Sequence, residues 1–381
     1  MSGRPPLYAE ICRDGSEFGR LGPEWASLYA RCATATPFQS HAWLHSWWLS
    51  YGRPGALRVV LVRRAEDGAL VAAAPLMRAP GPLPVLTQLG GTITDFTDVL
   101  LDDGCPEAVP ALASALAGAA RGALIDLREV RPGAAAERVF DAWRGPRRRL
   151  ADSLCLELPA VPMEALLERI PSGKAQRVRA KLRKLDALGI DEHIVTGPEV
   201  PAALDRLLAL HQLQWQGRGV TAEHTSERFA QHLARAVRPM VECGDAMVTE
   251  FRLAGDVVAA DLTLMSRRLA GGYLYGADPA LRARKVDVAT MLLRHGARET
   301  SASGRATLSM LRGTEPYKHH WRPETVPNQR LMLGGRGAAP VLWLCAGAAG
   351  GRRWAARQVR EREWLGRALG RAPRTPNGGG G

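Results

Sequence analysis

The chain has 381 residues, 46% of them hydrophobic and 23% charged, a balance that excludes a disordered or fibrous protein and leaves room for about two globular domains. Lys and Arg number 51 against 38 Asp and Glu, and the net charge of +13 permits a polyanionic partner such as a nucleotide cofactor or RNA. Only five of the 51 are lysines (Lys174, Lys181, Lys184, Lys285 and Lys318), so a general bias towards arginine supplies part of that excess.

Near the N-terminus, Glu10, Asp14 and Glu17 interrupt any apolar stretch, which argues against a secretory leader. No apolar run approaches the length of a bilayer span, so the cytoplasm is the expected compartment and no membrane partner is expected. The cysteines Cys12, Cys32, Cys105, Cys155, Cys243 and Cys345 are scattered without metal-ligand spacing, and reduced core thiols are expected.

In chain order, a helix is predicted over 42–51, strands over 58–62 and 70–76, a Pro/Gly loop over 79–84, a helix over 107–120 and a strand over 122–127. A strand over 154–158 closes or leaves this first part. After Pro171 the spacing predicts a helix over 175–188. Its Val178, Leu182 and Leu185 form a buried stripe, with Arg177, Arg179, Lys181, Arg183 and Lys184 beside it. Those five side chains fit either a solvated face or a patch that meets phosphates.

Helices over 202–216 and 229–237 follow, the first stopped by Gly217 and Gly219. Alternation then marks a strand over 258–264, with Asp261 and Thr263 opposite its apolar side, and another over 270–275 that carries Tyr273 and Tyr275. A loop holding Arg282, Arg284 and Lys285 leads to a helix over 287–299, then strands over 306–311 and 329–333. Beyond Gly334 lie a Gly/Ala-rich stretch, an Arg-rich helix over about 352–369 and a Pro/Gly tail expected to be disordered. The pattern is a mixed-sheet α/β protein with domains over 1–160 and 161–333 and an extension over 334–381.

The sequence contains no G-x-S-x-G, P-loop or dinucleotide fingerprint. His41 and His45 read as helix residues beside Trp43, Trp47 and Trp48, and a metal-free mechanism is expected. Polar candidates cluster at strand ends instead. Asp95 and Asp98 sit in a loop before an apolar run, where an Asp also caps turns. Asp261 faces solvent or lines a groove that holds an amine. Tyr273 and Tyr275 either pack or donate a proton to a leaving group. The run Leu311–Trp321 is the densest: Lys318 can neutralise negative charge and Trp321 can wall a pocket.

Five segments together resemble the cellulose-biosynthesis-associated (CelD/BcsL-type) acetyltransferase group of the GNAT superfamily, a relative of the Fem-type aminoacyl transferases that use charged tRNA. They are Pro37–Leu44 with Trp47 and Trp48, the basic helix over 174–185, Leu210–Gly219, Tyr273–Asp278, and Leu311-Arg312-Gly313 followed by Tyr317, Lys318 and Trp321. The resemblance implies tandem GNAT-like domains, the first degenerate, and direct acyl transfer to the amine of a small molecule. Such transfer needs a neutral amine, donors for the carbonyl oxygen and an acid for the leaving group.

On that basis Asp98, Asp261, Tyr275 and Lys318 are the catalytic candidates. The resemblance also has backbone N–H groups near Leu262–Leu264 meet the carbonyl. Arg282, Arg284, Lys285, Arg312, Tyr317 and Trp321 would hold the donor cofactor, and Asp95, Trp215, Arg218 and Tyr273 the acceptor. The family's glycine-rich turn, whose bare N–H groups cradle the coenzyme A pyrophosphate, is replaced here by Leu281–Asp287, and its usual aspartate by Ser309. Three functions follow from the resemblance. The first is transfer from an acyl-CoA or carrier thioester. The second is transfer from aminoacyl-tRNA, with the basic helix as RNA/phosphate patch. The third is a non-catalytic RNA-binding or scaffold relative.

Overall fold

A computed structural model describes residues 6–215, 222–335 and 337–348. Thirteen strands form one continuous sheet: β1 (Leu7–Cys12), β2 (Leu57–Arg64), β3 (Leu70–Arg78), β4 (Val85–Gln88), β5 (Leu100–Leu101), β6 (Leu124–Val130), β7 (Arg147–Pro159), β8 (Asp191–Ile194), β9 (Ala246–Leu253), β10 (Asp256–Met265), β11 (Leu269–Ala277), β12 (Thr307–Arg312) and β13 (Glu324–Gly334). Their order is β1-β2-β3-β4-β6-β13-β7-β12-β11-β10-β9-β8, with β5 attached to β3. The fold is a mixed α/β open sheet.

One pattern of strands occurs twice. From β1 to β4 and from β8 to β11 neighbouring strands run antiparallel. Each run then crosses over a helix, Ala108–Ala119 or Val288–Ala302, to a parallel partner, β6 or β12. The closing strands are exchanged: β7, which follows the first run, pairs with β12, and β13, which follows the second, pairs with β6. The two exchanged strands also pair with each other along most of their length, which makes the sheet continuous.

Local chemistry explains the helices. Ser40, Ser226 and Asp287 cap the starts of His41–Tyr51, Glu227–Cys243 and Val288–Ala302 by accepting backbone N–H groups, and Gly189 and Gly244 end two helices in the left-handed conformation. A large core joins the strands of the first run to the helices Val200–Trp215 and Glu227–Cys243, around the fully buried Trp25, Trp43 and Phe38. A second core packs Met163–Glu168, Ser172–Leu188 and Val288–Ala302 on β9–β12. Ser172–Leu188 contributes Ala175, Leu182 and Leu185 to that core, with Val178 half-buried, so its basic side chains remain outside.

Four cysteines are buried as expected, whereas Cys243 is exposed and Cys345 half-buried. Among the described residues no helix is long and apolar enough to cross a membrane. The predicted Arg-rich helix and tail lie outside the described residues.

Candidate active site

The parallel pair β11/β12 is joined only through Leu269–Gly271 and Thr307–Ser309. Beyond Ser309 the register of β12 slips against β7, Leu311 takes a positive φ of 57°, and Ser309 Oγ accepts the Leu311 N–H at 3.2 Å. That kink turns β12 away from β11 and opens a wedge between them. Gly271 sits at the apex, where a Cβ would crowd the Ser309 carbonyl oxygen at 3.0 Å and Leu311 Cδ2 at 2.8 Å. Higher on β11, Gly276 lets the helix Val200–Trp215 press against the strand; a Cβ would lie 2.3 Å from the His211 N.

The wedge opens into a cavity of about 550 Å³. Its walls bring together Asp261 of β10, Tyr273 and Tyr275 of β11, and Arg312, Tyr317 and Lys318 from the end of β12 onward. Asp95 and Ser153 reach it from the first half of the chain, while Ala289, Leu292 and Leu293 of Val288–Ala302 close one side.

Arg312 is anchored rather than open to a ligand. Its Nε donates to Asp95 Oδ1 at 2.5 Å, Nη1 to Glu129 Oε1 at 3.3 Å and Nη2 to the Thr92 carbonyl at 2.7 Å. Glu129 is in turn held by Asn328 at 3.0 Å and by the Ser153 hydroxyl. Burial opposes the Arg312 charge, but the carboxylates of Asp95 and Glu129 outweigh it and raise its pKa. This ion-paired guanidinium ties the 92–95 loop to the end of β12.

Lys318 is only 6% exposed. Its Nζ donates to the Arg312 carbonyl at 2.9 Å and pairs with Glu315 at 2.8 Å, which leaves one N–H of the ammonium for a carbonyl oxygen in the cavity. Tyr275 is half-buried, and its backbone carbonyl accepts His211 Nδ1–H at 2.7 Å. Tyr273 sits deeper, edge-on to Phe38 and Trp43, and its hydroxyl donates to the Ile93 carbonyl at 2.8 Å. Asp261 is buried and accepts Thr263 Oγ1–H at 2.7 Å; burial raises its pKa against the pull of that hydroxyl and of His295.

Several expected site residues lie elsewhere. Asp98 accepts the backbone N–H groups of Val99, Ala135 and Ala136, so it caps the helix Ala135–Ala142, and burial pushes its pKa up to about 7 despite those donors. It borders a separate cavity of about 320 Å³. Leu262–Leu264 cannot present a row of free N–H groups, because β10 is paired on both sides, with β9 and β11. Trp321 is buried in the second core, its indole absorbed by packing. Arg282, Arg284 and Lys285 are exposed and line neither described cavity. Trp215 ends its helix; its side chain and Arg218 lie outside the described residues.

The start of Val288–Ala302 is already occupied. Asp287 caps it by accepting the Thr290 N–H at 3.0 Å and forms an ion pair with Lys181. Burial opposes that carboxylate, but Lys181 and Thr290 pull its pKa below the usual range. The pair also brings the basic helix Ser172–Leu188 against the 282–287 loop. Arg179 is paired with Glu164, whereas Arg177, Arg183, Lys184, Arg282, Arg284 and Lys285 are exposed without an ion pair among the described residues.

Sequence reasoning missed His224, which lines the cavity and stacks on Phe229 with ring centroids 4.8 Å apart. Burial, with His211 nearby, lowers its pKa to about 4. It also missed Ser153 and Glu129. None carries a local signal, since each reaches the site from a distant strand or loop. Among the described residues no group of His, Cys, Asp and Glu can hold a metal ion.

Over residues 172–319 the sequence matches the family model described as an acetyltransferase (GNAT) domain. The chain is similar in structure to FemX, at 11% identity over 81% of this chain and 95% of that one with a TM-score of 0.58. The fold is GNAT-like. A similar architecture is found in L-PGS from Bacillus licheniformis, at 13% identity over 90% and 96% of the two chains with a TM-score of 0.53. It is also shared with the C-terminal domain (DUF2156) of a protein described as a lysylphosphatidylglycerol synthetase from Agrobacterium fabrum, at 16% identity over 87% and 96% with a TM-score of 0.52. At these identities the likeness is one of fold. No curated protein matches the sequence.

Proposed function

We propose that this protein is an acyltransferase whose donor is an aminoacyl-tRNA, and that the aminoacyl group passes to a small nucleophile, foremost an amine, in the wedge cavity. The observation that carries this reading is the charged Asp287 at the start of Val288–Ala302, paired with Lys181. A coenzyme A pyrophosphate bound at that helix start would meet a carboxylate where it needs bare N–H groups. The neighbouring cations, Arg177, Arg183 and Lys184 with Arg282, Arg284 and Lys285, are spread over an exposed face that suits a polyphosphate backbone better than one diphosphate. This replaces the thioester donor that the family resemblance put first. One of the structurally similar proteins bears a name that denotes synthesis of lysylphosphatidylglycerol, which is an aminoacyl transfer.

In this reading Lys318 meets the carbonyl oxygen as negative charge develops, and Tyr275 gives its proton to the departing ribose oxygen and regains one from the attacking amine. Arg312 holds the loops in register. The twice-repeated strand pattern supports reading 1–160 as a degenerate GNAT-like half and 161–333 as the working one, with 334–381 as an extension. Membership of the CelD/BcsL-type group belongs to the same proposal and rests on the five segments quoted above.

A donor screen tests the function. Charged tRNA, deacylated tRNA, acetyl-CoA and longer acyl-CoAs are offered with a panel of small amines, and product is read by mass. Transfer from charged tRNA, with salt-sensitive nucleic acid co-purifying with the protein, is the expected result. Thermal stabilisation by coenzyme A together with turnover of an acyl-CoA would overturn the donor assignment.

A further inference from the structure

Three carboxylates line the wedge cavity, and two of them have a cation of their own. Asp95 is held by Arg312 and Glu315 by Lys318. Asp261 accepts a single hydrogen bond, from Thr263 to Oδ2, and its Oδ1 has no hydrogen-bond partner among the described residues. The residue is 6% exposed, so solvent does little to screen the charge. His295, whose field reaches it, is already committed to Thr249 and Glu192. Gly272 leaves room in front of the open oxygen: a Cβ there would meet nothing within 4 Å except Oδ1, at 3.5 Å. Tyr275 stands directly opposite on the ladder and puts an aromatic ring in the same wall.

A buried carboxylate without a counter-charge is costly, and a cationic ligand recovers that cost. A carboxylate beside an aromatic ring suits a primary ammonium. We infer that Asp261 anchors an ammonium subsite, and that the group it takes is the α-ammonium of the amino acid carried by the donor. This rests on the aminoacyl-donor reading above. The α-nitrogen is two bonds from the carbonyl carbon, so a carboxylate in the same wall as Tyr275 and Lys318 can hold it while the carbonyl is attacked. The attacking amine must instead shed its proton and makes a poor partner for a lasting ion pair.

Calorimetric titration of the full chain with L-alaninamide, N-acetyl-L-alaninamide and propionamide tests the subsite. Alaninamide should bind about tenfold or more tightly than the other two, as a buried charge-assisted contact requires. Asp261→Asn should erase that preference while leaving propionamide unchanged. Gly272→Ala, which narrows the approach to Oδ1 and keeps the carboxylate, should weaken alaninamide selectively even if the first variant does not fold. Equal binding of alaninamide and propionamide, absence of binding included, would overturn the inference, as would a preference that survives both substitutions. The two proposals fail separately. Preference for alaninamide without tRNA-dependent transfer sinks the donor and keeps the subsite. Transfer from charged tRNA that is indifferent to N-acetylation of the aminoacyl group keeps the donor and sinks the subsite.

Discussion

Lys318 is the one lysine of the 311–321 run, and its ammonium is buried in the cavity wall with two of its three donors spent on the protein. Such a group is pre-positioned, so removing it costs rate rather than fold. Lys318→Met should lower kcat by about a hundredfold while circular dichroism and the melting temperature stay close to those of the parent; unchanged kinetics would remove it from the site. Tyr275→Phe should lower kcat more than it raises KM, because the proposed bond strengthens only as the leaving group departs. Strand alternation and a dense polar run singled out both residues in the sequence, and both line the cavity. For Asp98 the sequence left a capping and a site role open, because a loop aspartate that caps a helix and one that serves a cavity look alike until its three N–H donors, two of them on Ala135 and Ala136, are placed around it.

Acid sensitivity also belongs to single residues. His232 is fully buried under Trp43 and burial lowers its pKa to about 3, so the folded protein refuses a proton that the unfolded chain takes below about pH 6.5. Its neutral form therefore stabilises the fold above that pH, and the stability is lost as pH falls from about 6.5 towards 3, at about 1.4 kcal/mol per pH unit. His232→Asn should flatten the decline of melting temperature between pH 7 and 4.5, and an unaltered slope would assign the sensitivity to other groups.

Among the elements, the wedge depends on small residues that hold β11 against its neighbours. Gly276→Ala would drive a Cβ into the backbone of Val200–Trp215, and a loss of about 1–3 kcal/mol in denaturant unfolding is expected. Loss of activity without loss of stability would show that the strand yields and that the helix contact is not structural. The helix Ser172–Leu188 divides its labour by face: Leu182 and Leu185 dock on the second core, each worth about 2 kcal/mol, while the cations stay outside. Replacing Arg177, Arg183 and Lys184 by Glu should leave folding intact, weaken tRNA binding and reduce the slope of log K against log salt by about one per lost phosphate contact. Equal binding by parent and variant would place RNA elsewhere or nowhere. Hydrophobic periodicity exposed this helix because its apolar stripe is local. The short strands Asp191–Ile194 and Val85–Gln88 escaped, since four residues carry too little alternation and are set by their partners across the sheet.

In the whole molecule, β7 and β13 exchange places, so each half is completed by a strand that follows the other. One cooperative unfolding transition is therefore expected by calorimetry, and two separated transitions would show that the halves are independent. The amino-acid sequence determined the elements whose signals are contained within them: amphipathic helices, alternating strands, the basic face and the polar run after β12. Tertiary structure alone decided the exchange of strands, the kink at Leu311 that opens the wedge, and the meeting of Asp95, Glu129 and Ser153 with Arg312 and Lys318. Those features depend on contacts between residues more than a hundred positions apart, and no local pattern of side chains records which distant surface a segment will be pressed against.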